Sequence, residues 1–428
     1  MNILWLSVND GLYSPKGSSG YHGGGWVSSL QNLIIQQPQC HLGLVFITHE
    51  RLTEIQMGNT MYFPIYQPKV SMLKKIQHYY GGYKNADKDL YIDRINDVVT
   101  RFQPDIIHLF GVENPMATIL GKTNIPVVVH LQGLLSPCDN AFFPPGFNKS
   151  SFFFPFSMRE WVLRNGYIFA KKSIHIRGQR EEALFKHIMY CMGRTDWDYM
   201  VSHLLAPRSI YYHVDEVLRP PFYEHAGQWQ LIAKDGRFVI ISTLSNTVYK
   251  GLDMVLKTAA LLKKHSEICF EWRVVGISHR SEVVSFFERT LNILSSEVGV
   301  KYMGVKNETE LCTLLLESDC YMHPSYIDNS PNSLCEAMLL GMPVLAAYVG
   351  GVPSLLQRGQ CGILVPANGP YELAHELMRL QRNPDIAVEL GRAAFECAES
   401  RHKQDVIVQQ LLSTYKEVIK NHQNCNTL

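Results

Sequence analysis

The sequence has no surplus of either charge: 40 Lys and Arg stand against 39 Asp and Glu over 428 residues, a net of +1. Nucleic-acid binding draws on a basic excess, so that class is set aside. There is no C-x-x-C pair and no Cys/His cluster at zinc spacing; the ten cysteines lie scattered from Cys40 to Cys425. They read as small core hydrophobes of a reducing, cytoplasmic compartment, not as a disulfide or metal framework. No Lys or Arg precedes the first apolar run, which stops at Asn9-Asp10, too soon for a signal peptide. Residues 337–356 carry no charge, yet Gly341, Pro343, Gly350, Gly351 and Pro353 cut them up. They are expected to be helix, turn, strand, turn and helix of a buried core, not a membrane span. The Asn148-Lys149-Ser150 glycosylation pattern is read as chance.

Hydrophobic residues make up 46% and charged residues 18%, the composition of a globular chain long enough for two cores. Short apolar runs alternate with amphipathic segments. Strands are expected at 3–7, 41–48, 105–110, 126–131 and 209–212, with helices at 26–36 and 90–102. A second series places strands at 238–242, 270–275, 320–323, 344–346 and 363–365, with helices at 251–264, 282–295, 309–316 and 332–340. Apolar runs joined by helices argue for parallel sheets covered on both faces. The fold class is therefore α/β, with two Rossmann-like doubly wound domains facing a central cleft. The composition around Arg219-Pro220-Pro221 is that of a hinge, and the boundary is set near residue 222. This gives domains 1–222 and 223–402, with 403–428 as a C-terminal helix crossing back to the first.

The segment running from His323 through Asp328, Ser330, Pro331, Asn332, Ser333 and Glu336 to Gly341 and Pro343 holds the strongest signal. A buried strand ends near His323 and a helix begins within 330–332. Its unpaired amides and macrodipole make an anion site suited to phosphate. Ser330 is placed as a cap and Pro331 in the first turn. Glu336, about one turn along, reaches past the phosphates to a ribose; Asp328, eight residues earlier, faces what precedes them. Lys250, before Gly251, is a point charge for the diphosphate. Gly23, Gly24 and Gly25 let backbone amides approach a ligand, though their order is not G-x-G-x-x-G.

These residues resemble the donor-binding signature of retaining glycosyltransferases of the GT-B fold, family 4. That signature pairs two acids separated by seven residues, the second opening Glu-Ala-Met-x-x-Gly-x-Pro-Val. Glu336 matches the ribose acid; Asp328 stands where a glutamate contacts donor-sugar hydroxyls, one methylene shorter. Gly350-Gly351-Val352-Pro353 and Gly362-Ile363-Leu364-Val365 match the family pattern downstream of the signature, and compatible spacing runs from Ile3 to about Leu380. Lys250 matches the family's phosphate lysine, while Thr243 occupies the place of its arginine. Aligned on Gly133, Gln132 stands where the family carries a histidine, with His130 two residues earlier.

The resemblance implies a UDP- or GDP-sugar donor, retention, no cofactor and no required metal. The acceptor is a saccharide or lipid-linked saccharide of polysaccharide or glycolipid assembly. Glu113 is an acceptor-side candidate, and Arg194 and Asp198 are read as a structural pair. Asp87-x-Asp89 and Asp196-x-Asp198 are read as a helix cap and as polar anchoring around Trp197, not as metal pairs. The aromatics from Phe142 to Phe156 are either loop residues folded into the core or a patch touching the inner face of the cell membrane. Two other readings stay open: a nucleotide-sugar epimerase of the same fold, and a degenerate donor-binding protein.

Overall fold

The computed structural model describes residues 1–13, 25–68, 90–147, 166–231 and 236–426. They divide into two compact units: Met1–Ser136, Met158–Val217 and His402–Leu428 form the first, Pro137–Ser157 and Leu218–Arg401 the second. The division after Val217 precedes the expected boundary at 222, and the segment opened by Pro137 groups with the second unit.

The first unit is built on β1 (Asn2–Ser7), β2 (His41–Thr48), β3 (Ile55–Met57), β4 (Thr60–Tyr66), β5 (Ile106–Phe110), β6 (Val127–His130), β7 (Tyr190–Gly193) and β8 (Ile210–His213). Their order is β3-β4-β2-β1-β5-β6-β7-β8; all neighbours run parallel except β3 against β4. β1 and β5 are apolar on both faces because helices cover both: Ile3 to Leu6 and Ile106, Ile107 and Leu109 are inaccessible to solvent. Helix Leu90–Phe102 shows how the cover is made. Tyr91, Ile95 and Val98 recur at helical spacing and are buried, while Asp93, Arg94 and Asp97 face outward. The terminal helix Gln404–Asn426 is tied to this unit from inside, where Trp5 Nε1 donates to Tyr415 Oη at 3.2 Å.

The second unit holds β9 (Phe238–Thr243), β10 (Phe270–Val275), β11 (Val300–Gly304), β12 (Cys320–His323), β13 (Val344–Ala347) and β14 (Ile363–Val365). All six are parallel in the order β11-β10-β9-β12-β13-β14, the doubly wound pattern. The uncharged stretch resolves into helix Asn332–Leu340, β13 and the short helix Val352–Leu355. No helix among the described residues is long and apolar enough to cross a membrane.

Sequence and structure differ in places. β3, β4, β7 and β11 were not anticipated. Helix Glu282–Leu291 stops four residues short of the expected 295 because Asn292 turns left-handed (φ 53°).

Candidate donor site

In the second unit the strand order reverses between β9 and β12, and ligands of doubly wound sheets bind at the carboxyl ends on either side of such a switch. Those ends are Thr243 and His323. After β9 the chain makes a 3-10 turn, Val248–Lys250, and enters helix Leu252–His265 through Gly251. Gly251 has φ 82°, and a Cβ there would lie 2.1 Å from the Pro324 carbonyl oxygen. Only glycine lets the two loops press together in this way. Asp253, buried at the helix start, fixes the second loop by accepting from Tyr326 Oη at 2.8 Å and from Lys257 at 2.9 Å.

That closeness brings Lys250 and Asp328 together. Lys250 Nζ donates to Asp328 Oδ2 at 2.6 Å, and His323 Nε2 lies 3.1 Å from the same oxygen. Burial alone would raise the Asp328 carboxyl; the Lys250 charge and the neighbouring imidazole overturn it, and the group titrates well below the usual carboxylate range. Burial would lower the Lys250 ammonium, and the Asp328 charge raises it instead. The Gly-Gly that comes after β13 has a local task. Gly351 N–H donates to the Asp328 carbonyl at 3.0 Å, and a Cβ on Gly350 (φ 49°) would stand 1.9 Å from that oxygen.

Helix Asn332–Leu340 starts at this edge. Pro331 is its N-cap, with no side-chain cap bond, so the expected Ser330 cap and first-turn proline are each displaced by one position. Ser330 is buried, Asn332 opens the helix, and Ser333 completes a triangle of hydroxyls. Its Oγ lies 2.7 Å from Thr243 Oγ1 and 2.8 Å from Tyr321 Oη, which are themselves 2.8 Å apart. Thr243 thus sets neutral donors where a cation was sought. Burial raises the Tyr321 phenol above its ordinary value, and the charges of Asp328 and Glu336 add to the shift.

Glu336 has 1% of its surface exposed, and both carboxylate oxygens accept from Arg219, Oε1 from Nε at 2.6 Å and Oε2 from Nη2 at 2.7 Å. Sequence reasoning missed Arg219 as a site residue. Arg-Pro-Pro reads as hinge composition, and nothing local announces a partner 117 residues away.

The remaining candidates lie in the first unit. Gly25 opens helix Gly25–Ile34, while Gly23, Gly24, Asp87 and Asp89 lie outside the described residues. Gln132 Nε2 donates to the His130 carbonyl at 3.3 Å. His130 is inaccessible to solvent among Trp26, His108 and Phe110, and burial, then the Arg194 charge, lowers it to about 3. Glu113 accepts from Gly133 N–H at 3.1 Å, and burial raises its carboxyl. Glu181, not anticipated, accepts from the amides of Leu135 and Ser136 at 2.9 and 3.3 Å, and burial pushes it up to about 7. Arg194 and Asp198 are paired, through the Arg194 backbone. Asp198 accepts from that N–H and from Tyr211 Oη, and stands in the first turn of helix Asp196–Leu205 in a capping box with the N-cap Thr195, whereas the Arg194 guanidinium lies 3.7 Å from Glu216.

Of the aromatic segment, Phe142 is buried against Phe143 and Tyr249, and Phe147 packs on Phe287 beneath Lys257. These take the core reading; residues 148–156 lie outside the described residues.

Residues 226–396 match the family model for glycosyl transferases group 1. The amylovoran biosynthesis glycosyltransferase AmsK of Erwinia amylovora is 28% identical over 178 residues, 40% of this chain and 43% of that protein. A D-inositol 3-phosphate glycosyltransferase of Streptomyces bingchenggensis is 30% identical over 142 residues, 32% of this chain and 31% of that protein. The chain thus spans less than half the length of these relatives. Sucrose-phosphate synthase from Thermosynechococcus elongatus superposes with a TM-score of 0.70 at 13% identity, covering 98% of this chain and 99% of that one. Anabaena HepE in complex with UDP-glucose superposes with a TM-score of 0.62 at 17% identity, covering 97% and 100%. At these identities the likeness is one of fold, which is GT-B.

Proposed function

We propose that this chain, whose residues 226–396 match the group 1 glycosyl transferase model and whose fold is GT-B, moves a sugar from a nucleoside-diphosphate donor to an acceptor hydroxyl in polysaccharide assembly. One arrangement carries the reading: Lys250 and Asp328 joined at the carboxyl ends of β9 and β12, beside the start of helix Asn332–Leu340, with Glu336 one turn further along. The names of the relatives, amylovoran and colanic acid biosynthesis glycosyltransferases, support the polysaccharide class, and the HepE complex supports a UDP-sugar.

In this reading the diphosphate lies at the helix start, and its growing charge on departure is met by the amides of Asn332 and Ser333, the hydroxyls of Thr243 and Ser333, and Lys250. No divalent cation or cofactor is assigned a part. Asp328 addresses the sugar hydroxyls and Glu336 the ribose. Acceptor recognition is assigned to the first unit, through Glu113, with Gln132 toward the reacting sugar; His130, inaccessible to solvent, is left to packing. Attack from the face the phosphate leaves, with the departing phosphate oxygen taking the proton, retains the anomeric configuration. Glu336→Ala should weaken UDP or GDP binding and abolish transfer with the fold intact; unchanged nucleotide affinity by calorimetry refutes the assignment. A second reading, donor binding without turnover, is favoured by Thr243 standing where the family carries arginine. It predicts tight nucleotide-sugar binding and no product with any acceptor.

A further inference from the structure

Glu336 presents a contradiction that the proposed donor chemistry alone does not resolve. A carboxylate that holds a ribose diol must be reachable by two hydroxyls, yet Glu336 has 1% of its surface exposed and is gripped at both oxygens by Arg219. It cannot come forward to meet a ligand, because it sits on a helix buried without interruption from Leu334 to Leu340. The long side chain of Arg219, itself only 8% exposed, is the one that would have to leave. Arg219 stands outside that helix, at the N-cap of the short helix Pro220–Glu224, and its guanidinium carbon lies 5.1 Å from the Phe222 ring centroid.

We propose that Arg219 controls ribose access to Glu336: in the ligand-free chain it occupies the carboxylate, and donor binding exchanges this bidentate partner for the ribose diol. The inference rests on the reading of Glu336 as the ribose acid. The physical reason for such an occupant is that a buried carboxylate left alone is costly, while one paired to a planar fork is held ionised and oriented. Arg219 therefore acts through Glu336 as a positioning residue. A nucleotide lacking the 2′ and 3′ hydroxyls has no claim on Glu336, so it binds without displacing Arg219. A ribonucleotide meets the cost of displacement out of its own contacts.

The test measures Kd for UDP and for 2′,3′-dideoxy-UDP, and for the matching guanine pair, on wild type and on Arg219→Lys. Lysine keeps the charge but loses the two-pronged grip. UDP or GDP binding should tighten on the order of tenfold in the variant, with the dideoxy analogue unchanged. A merely structural role would move both analogues together, and an equal change in both, or weaker ribonucleotide binding, overturns the proposal. Glu336→Gln separates the two layers. If the ribose preference survives that change, the ribose assignment itself fails; if it disappears while Arg219→Lys does nothing, only the Arg219 inference fails. Should Arg219→Lys not fold, a crystal of the wild type with UDP decides: the Arg219–Glu336 pair should be parted, and an intact pair beside a bound ribose overturns it.

Discussion

The two units lay their strands out alike, β4-β2-β1-β5 in the first and β11-β10-β9-β12 in the second, so each sheet reverses beside its first strand. What fills the neighbourhood of that reversal differs. Around β1, β5 and β6 the first unit places Trp5, His108, Phe110 and His130, with Trp5 and Phe110 ring centroids 5.0 Å apart and those of His108 and Phe110 4.1 Å apart. Burial first, and then the other imidazole, drives His108 well below its ordinary value. Acids near this unit's carboxyl ends, Glu113 and Glu181, are pushed up. Around β9 and β12 the second unit instead places Lys250, Asp328, Arg219 and Glu336, each charge answered by another at 2.6–2.7 Å. One topology thus serves two electrostatic regimes. In the first, burial works against charge at His108, His130, Glu113 and Glu181, although Arg194 and Glu216 stay paired beside them; the second keeps charge by pairing it. In the proposed reading the diphosphate falls in the second regime, and the acceptor saccharide, which offers hydroxyls and no charge, in the first.

The largest break of this comparison comes from removing the cation of the second unit. Lys250→Gln should lower transfer on the order of 100-fold, the usual loss for one preorganised donor. It also leaves Asp328 without its ammonium, so burial should carry that carboxyl upward. In the wild type its stabilising contribution is fully present above the unfolded value near 3.9 and is lost only as pH falls through the lower folded value. The variant should therefore lose more stability than wild type as pH rises from 4 to 7 in denaturant titrations. A variant retaining full activity would remove Lys250 from the site.

The contrast was half legible beforehand. Periodicity and the Asp328-to-Pro343 segment gave five of the six strands of the second sheet and the candidate anion site, because helix starts, acids and glycine turns act over a few residues. Where a property depends on packing, sequence was silent. Pro64 hid β4, tolerated because β3 pairs only with Thr60–Tyr62 and ends before reaching it. Lys301 hid β11, and a four-residue run ending in glycine hid β7. Arg219 and Glu181 were unreadable for a related reason. Their partners stand 117 and 46 residues away, and only the fold brings them together.

Glu181 offers an effect of intermediate size that sharpens the account of the first unit. Its carboxyl is pushed up to about 7 by burial, against about 4.3 in an unfolded chain. Between those values the folded chain holds a proton that the unfolded chain has released, so stability falls as pH rises through the window and levels off above 7. At about 1.4 kcal/mol per unit, the loss approaches roughly 4 kcal/mol. Glu181→Gln keeps an oxygen for the Leu135 and Ser136 amides but cannot ionise. It should match wild type near pH 4 and exceed it by roughly 4 kcal/mol at pH 8 in urea unfolding. Equal slopes in both proteins would show that Glu181 stays ionised.

The smallest expected effect concerns His130, and its smallness is what makes it informative. A histidine beside a reacting sugar would be expected to print its titration on the rate near its ordinary value of about 6.5. Here burial, then the Arg194 charge, lowers the imidazole to about 3, so it is neutral throughout the working range. His130→Asn should then change the rate severalfold at most, through altered packing of Trp26 and His108, and leave the shape of the pH profile between 5 and 8 untouched. An inflection near neutrality that survives this change but vanishes in Glu181→Gln would trace the pH response to the buried carboxylate. An inflection lost with His130 itself would mean that the first unit does hold a charged group at its switch, and the division between a charge-pairing and a charge-stripping unit would no longer stand.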